Sequence, residues 1–272
     1  TRIGEYAFSS CYSLTTVIIP DSIIAIDPYA FAYCGELKNL TIPDSVTTID
    51  SYAFGGCLSL RSIDIPDSVK SIGVQAFYGC YGLVEVNIGN GVTSIGRAAF
   101  EKCQNLKEIS LGRRVEIIDE YAFYGCHSLS DVTIPDSVSV IGNYVFLDCV
   151  SLEKIEVSED NAYYKSIDGS LYSKDGTIFV QYPVGKTDRT CIISDGVSRI
   201  NDSAFAYCES IESVTLPDGV FIIGSDAFKS CTVLKSISIP ESVTNIGTYV
   251  FDGCISLTEI KVSENNAVYK SG

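Results

Sequence analysis

Apolar positions recur along this chain with a period of 23 residues, and two rhythms alternate inside each period. In the copy Ser59-Leu60-Arg61-Ser62-Ile63-Asp64-Ile65-Pro66 apolar and polar residues alternate from Leu60 onward, and the apolar pair Ile63 and Ile65 is β-branched. That pattern predicts a short strand, stopped by a proline that has no amide to give to a sheet. Pro20, Pro43, Pro66, Pro135, Pro217 and Pro240 repeat the stop, and Gly89 and Gly112 stand in its place in two copies. The second rhythm, Ala53, Phe54, Cys57 and Leu60, has spacings of three and four and predicts a short helical turn. Between the two runs a column of Gly4, Asp27, Asp50, Gly73, Gly96, Asp119, Gly142, Asn201, Gly224 and Gly247, three residue types that tolerate positive φ. A left-handed backbone position is expected there in every copy.

The repeat can be counted from its aromatic and sulfur columns. Phe8, Phe31, Phe54, Phe77, Phe100, Phe123 and Phe146 are 23 residues apart, and Phe205, Phe228 and Phe251 resume the step after one interruption. Three residues after each stands a cysteine: Cys11, Cys34, Cys57, Cys80, Cys103, Cys126, Cys149, Cys208, Cys231 and Cys254. Ten copies are read this way. The eleventh cysteine, Cys191, precedes Val214 by 23 residues and so falls on a core column. One copy has too little surface to bury its own apolar side, so the copies must stack, with Phe, Cys, Leu and Ile forming interior ladders and the strands one parallel sheet. At ~4.8 Å per rung the stack is a rod on the order of 50 Å long. The cysteines are read as buried, uncharged thiols. A ladder of parallel side chains cannot converge as zinc requires, and in-register Cβ atoms are spaced too widely for disulfides.

The interruption spans 59 residues from Phe146 to Phe205, or 36 beyond one period. Asp168-Gly169 and Lys174-Asp175-Gly176 are turn signals around Ser170–Ser173, and Thr177–Tyr182 follows, which predicts a β-hairpin. Val262–Ser271 matches Val157–Ser166 at an offset of 105, so a second insertion is expected to begin there and the parent protein to continue. The expected organisation is a single solenoid over 1–272, with N-terminal rungs 1–157, the hairpin insertion 158–190, C-terminal rungs 191–262 and a second, truncated insertion from 263. Uncapped end rungs are expected to favour end-to-end association.

Taken together, the unit L-x-x-I-x-I-P-D-S-V-x-x-I-G-x-x-A-F-x-x-C-x-S, carried for example by Pro43-Asp44, Ala53-Phe54 and Cys57, resembles the BspA-like leucine-rich repeat family, also called the Treponema pallidum type. The resemblance covers nearly the whole chain. It implies a curved right-handed solenoid with a concave parallel sheet, in proteins that are surface-exposed or secreted and linked to adhesion and host-protein binding. It implies no enzyme. Gly89-Asn90 and Gly112-Arg113 depart from the Pro-Asp pattern.

Charge narrows the partners. The 19 Lys+Arg against 34 Asp+Glu give a net charge of −15, which disfavours nucleic acid and anionic membranes. No apolar run of membrane-spanning length and no signal peptide is present, and with no Met in the chain Thr1 reads as the start of a cut or processed piece. An extracellular or cell-surface location is expected, with signal and anchor outside this piece.

Candidate chemistry is sparse. His127 is the sole histidine, at a site other copies fill with Tyr12, Leu58, Tyr81 or Gln104, and reads as a variable loop residue. No phosphate-cradling or metalloprotease motif occurs. Carboxylates on consecutive strands could pair as in a glycosidase, but nothing in the sequence desolvates one of them. Ser158-Glu159-Asp160-Asn161 lacks EF-hand spacing and reads as a solvated loop. No catalytic, cofactor or metal residue is assigned.

Two surfaces remain. The outward strand positions are polar and acidic without aromatics, and Asp64, Glu85, Asn87, Glu108, Asp131 and Glu156 are the candidate contacts for a basic patch on a protein or glycoprotein. Twelve of the 17 tyrosines cluster near the Phe-Cys turn, and Tyr33, Tyr78, Tyr81, Tyr124 and Tyr207 are candidate contacts for protein or, alternatively, carbohydrate. A spacer that only displays other domains is the third reading.

Overall fold

The alternating segments form strands, and their proline or glycine ends them. In a computed structural model, which describes residues 1–270, Ser62–Ile65 and Glu85–Ile88 each bury every second side chain and pair in parallel, with Ser62 opposite Glu85 and Asp64 opposite Asn87. The chain falls into two compact units, Thr1–Cys149 and a second that begins at Val150. The 23-residue rungs stack as a solenoid in both, with Ile63, Val86 and their equivalents inside.

A single sheet was expected, and each unit has a second parallel ladder. In the first unit it joins seven two-residue strands, from Arg2–Ile3 through Ser71–Ile72 to Val140–Ile141. Each comes from the V-x-x-I segment, whose isoleucine points inward while the residue before it is more exposed, as in Ser71 and Ile72. Two residues are too few for a visible alternation, so the sequence pattern did not announce them.

The third side of the rung is not helical. Ala30 donates to Asp27, Ala32 to Tyr29 and Cys34 to Phe31, while the amides between them, Tyr29, Phe31 and Tyr33, donate to Ser51, Ala53 and Gly55 of the next rung. Every second N–H is thus spent on the neighbouring rung, and a helix cannot form. Left-handed backbone lies elsewhere than expected. The Gly/Asp/Asn column has no positive φ; the positive values fall two residues later, at Tyr6, Tyr29, Tyr52, Tyr121 and Tyr144, and again beside the cysteine, at Tyr33 and Gly56. The column opens the first turn instead, where Asp50 also accepts its neighbour's amide, Ser51 N, at 2.6 Å. Where glycine stands, consecutive rungs approach closely: a Cβ on Gly73 would lie 2.5 Å from the carbonyl carbon of Asp50.

The Phe column is a continuous stack. Phe8 to Phe146 lie 5.1 to 5.8 Å apart, centroid to centroid, with nearly parallel rings, and all but Phe8 are buried. All eleven cysteines are free thiols, and Cys34 through Cys149, Cys208 and Cys231 are buried. Cys191 pairs in register with Val214.

In the second unit the insertion is a meander rather than a hairpin alone. Tyr164–Ile167 pairs antiparallel with Ser170–Ser173, which pairs antiparallel with Ile178–Gln181, which then joins Arg199–Ile200 in parallel. The first of these strands was not anticipated. Its last strand opens a further rung, making about eleven instead of ten. Tyr182 takes the Phe position of that rung, donating its amide to Ala204 at 2.8 Å and stacking on Phe205 at 5.1 Å, and Gly185 stands where the cysteine would. A Cβ there would lie 2.4 Å from the Ser151 carbonyl carbon.

Asn161 anchors the start of the insertion. Fully buried, it accepts the amides of Tyr163 and Tyr164 at 2.8 Å each. Asn266 does the same for Val268 and Tyr269 at 2.9 and 2.7 Å, and donates to the Pro240 and Val243 carbonyls. The expected second insertion thus opens with the same turn, although Ser271 and Gly272 lie outside the described residues.

Candidate functional site

Because the sheet is parallel and in register, residues 23 apart become neighbours on its outer face. Glu85 stands opposite Glu108 and Asn87 opposite Ser110. Asn87 Nδ2 donates to Asp64 Oδ1 at 2.9 Å and to Glu85 Oε1 at 3.1 Å, fixing two carboxylates with one amide. Glu85, Asn87, Lys107, Glu108 and Asp131 line one shallow depression of about 170 Å³. Ser130 Oγ holds Asp131 at 3.0 Å. Five of the six predicted strand contacts thus share one exposed face of the first unit. Glu156 belongs to the second, where Lys154 pairs with it at 2.9 Å.

The tyrosines do not form one edge. Tyr6, Tyr29 and Tyr52 stack at 4.8 and 5.0 Å, and Tyr33 and Tyr78 lean on Tyr52 at 6.4 and 5.5 Å. Gln75 and Ala98 then break the column, and Tyr121 and Tyr144 stack separately at 5.0 Å, with Tyr124 edge-on to Tyr121. Burial raises the Tyr52 hydroxyl above the usual tyrosine range, aided by the neighbouring phenols. Lys102 Nζ hydrogen-bonds the Tyr78 hydroxyl at 3.1 Å. Tyr207 is half-buried in the second unit, its amide donated to Lys229. Rings stacked face to face, as in Tyr29 between Tyr6 and Tyr52, present edges to solvent. Tyr81 differs: it is 43% exposed and has no ring partner among the described residues.

His127 Nε2 lies 3.0 Å from Asp148 Oδ2 in a half-exposed pair. Among the described residues no group of three or more His, Cys, Asp or Glu is arranged to hold a metal ion, and no helix is long and apolar enough to cross a membrane.

The family model for the BspA type leucine rich repeat region matches residues 1–90, 70–174 and 188–272, six copies in all. The chain belongs to this family. Among solved structures, this BspA-type chain is similar to a leucine-rich repeat protein from Bacteroides ovatus, with 32% identity over 97% of this chain and 64% of that one and a TM-score of 0.74. It is similar also to a leucine rich cell surface protein from Faecalibacterium prausnitzii, with 30% identity over 100% of this chain and 80% of that one and a TM-score of 0.67. A leucine-rich repeat protein from Eubacterium ventriosum gives 28% identity over 75% of this chain and 60% of that one, with a TM-score of 0.63. This chain therefore spans less than two thirds of the Eubacterium and Bacteroides proteins. No curated protein matches it significantly.

Proposed function

We propose that this BspA-type chain is a non-enzymatic scaffold on a bacterial cell surface that binds a basic patch of an extracellular protein through Asp64, Glu85, Glu108 and Asp131. The in-register placement of Glu85 against Glu108 carries the reading. Two carboxylates one strand spacing apart repel by about 1 kcal/mol even in bulk water, and the sheet holds them there. A Lys- or Arg-bearing partner relieves that repulsion on contact, so the gain is specific to the bound state. The family, and the cell-surface protein from Faecalibacterium among the similar structures, support a surface scaffold.

The test is binding to immobilised extracellular-matrix and plasma glycoproteins before and after their glycans are removed. Saturable binding that persists after deglycosylation is expected, weakening with salt and falling about tenfold in the triple variant Glu85→Gln, Glu108→Gln, Asp131→Asn. Undiminished binding by that variant would refute the reading.

A further inference from the structure

In a chain of net charge −15, a hollow lined by cations and by no carboxylate runs against the overall sign. Most lysines and arginines here pair with a carboxylate, as Arg189 and Lys235 do with Glu212. Arg61 makes no ion pair among the described residues, and Lys38, one rung away in the same column, reaches Glu36 only at 3.8 Å with both side chains more than half exposed. Both line a depression of about 580 Å³ in the first unit, with Leu58, Tyr81 and Asn105 and not one carboxylate.

The chemistry of that lining is mixed in a particular way. Tyr81 and Leu58 are large apolar groups left 43% and 48% exposed beside each other. Asn105 Nδ2 is spent on the Tyr81 carbonyl at 2.7 Å, which holds that loop and leaves its Oδ1 as an acceptor. Asn39, Ser59 and Ser62 add further short polar groups around the same hollow. A ring face, two cations and a rim of amides and hydroxyls fit a pyranose that bears a carboxylate: C–H groups on Tyr81, hydroxyls on the amides, the carboxylate on the Arg61 fork.

We infer that the Lys38–Arg61–Tyr81 depression is a binding site for an acidic sugar, of the uronic or sialic type, at the end of a glycan. This site lies apart from the stacked tyrosines and is independent of the protein-binding reading above. A run of acidic peptide is the less suitable occupant, because an extended chain leaving the hollow along the sheet meets Asp64, Glu85 and Glu108, all of its own sign. A single sugar ring stays within the hollow.

Saturation-transfer NMR with the whole chain tests this, using 3′-sialyllactose and a glucuronic-acid disaccharide as probes, with lactose and a tetraglutamate peptide as comparators. Transfer is expected to one or both acidic sugars, at least about fivefold above lactose and tetraglutamate. It should fall to the lactose level in Arg61→Gln and in Tyr81→Ala, whose side chains are exposed and whose circular dichroism should match the parent. Arg113→Gln, which removes an exposed cation outside the hollow, should leave it unchanged. No transfer to either acidic sugar, equal transfer to lactose, stronger transfer to the peptide, or full transfer in Arg61→Gln would each overturn the assignment.

Discussion

The thiol of Cys80 donates to the carbonyl oxygen of Phe54, 3.2 Å away and 26 residues earlier in the chain. The same oxygen accepts the amide of Cys57 at 3.2 Å, so both its lone pairs are used inside a dry core. Cys57, Cys103, Cys126, Cys149 and Cys231 repeat the bond to the phenylalanine of the preceding rung at 3.2 to 3.3 Å. Cysteine recurs because it fills a small apolar gap and also supplies a weak donor. Alanine would do only the first.

These thiols make the protein sensitive to alkali. Burial pushes Cys149 and Cys191 up to about 12 and raises Cys80, Cys103 and Cys126 well above the ordinary thiol value of 9.0. Above pH ~9 the unfolded chain releases these protons and the folded chain keeps them, so stability is full below that pH and falls as pH rises. Each such thiol removes about 1.4 kcal/mol per pH unit. Cooperative unfolding between pH ~9 and ~11 is expected by circular dichroism. A melting temperature that stays flat from neutral pH through that window would show that the thiols are not held neutral.

Asn161→Ala should destabilise the second unit. It strips the amides of Tyr163 and Tyr164 of their buried acceptor, at a cost of about 2 kcal/mol. Urea denaturation measures the loss, and faster hydrogen exchange at those two amides assigns it to the turn.

Tyr182→Phe should have the opposite sign. The Tyr182 hydroxyl is buried without a hydrogen-bond partner among the described residues, and burial drives its pKa far up. Removing it restores the residue the other rungs carry and should add about 1 kcal/mol. A lower unfolding midpoint for this variant would mean that the hydroxyl has a role in the core.

Glu108→Gln should raise the melting temperature at low ionic strength by ending its repulsion with Glu85. The gain should shrink when the measurement is repeated in about 1 M salt, where screening acts within ~3 Å. Equal gains at both salt concentrations would point to a cause other than charge.

Much of the rung was legible from sequence. The strand Ser62–Ile65, its stop at Pro66 and the Phe and Cys ladders follow from side-chain type at fixed spacing, and these positions carry the burial. Backbone was harder. Tyr29 and Tyr52 adopt positive φ although tyrosine disfavours it, because their own amides are tied to Ser51 and Val74 of the adjacent rung and the rings stack. Propensity alone pointed to Asp27 and Gly73, which are permissive but not used in that way. The rung of Tyr182 and Gly185 kept the 23-residue step to Phe205 and Cys208, but with both marker residues exchanged it escaped a count made on Phe and Cys. At the candidate surfaces, the acidic face could be read because parallel register turns a column into a patch. The Lys38–Arg61–Tyr81 hollow could not, since it draws on four columns, those of Leu58, Ser59, Arg61 and Ser62, whose residue types vary from rung to rung.

The interleaved turn of Tyr29 to Cys34 has a mechanical meaning. Each rung is fastened to its neighbour on three sides by backbone bonds and once more by a thiol. A tension applied to the two ends of the first unit therefore meets the terminal rung first and must strip it before the following one is loaded. Extension would proceed in steps of one rung, each releasing ~75–80 Å of contour from 23 residues of chain. A solenoid built this way yields length under load while its remaining rungs keep their fold.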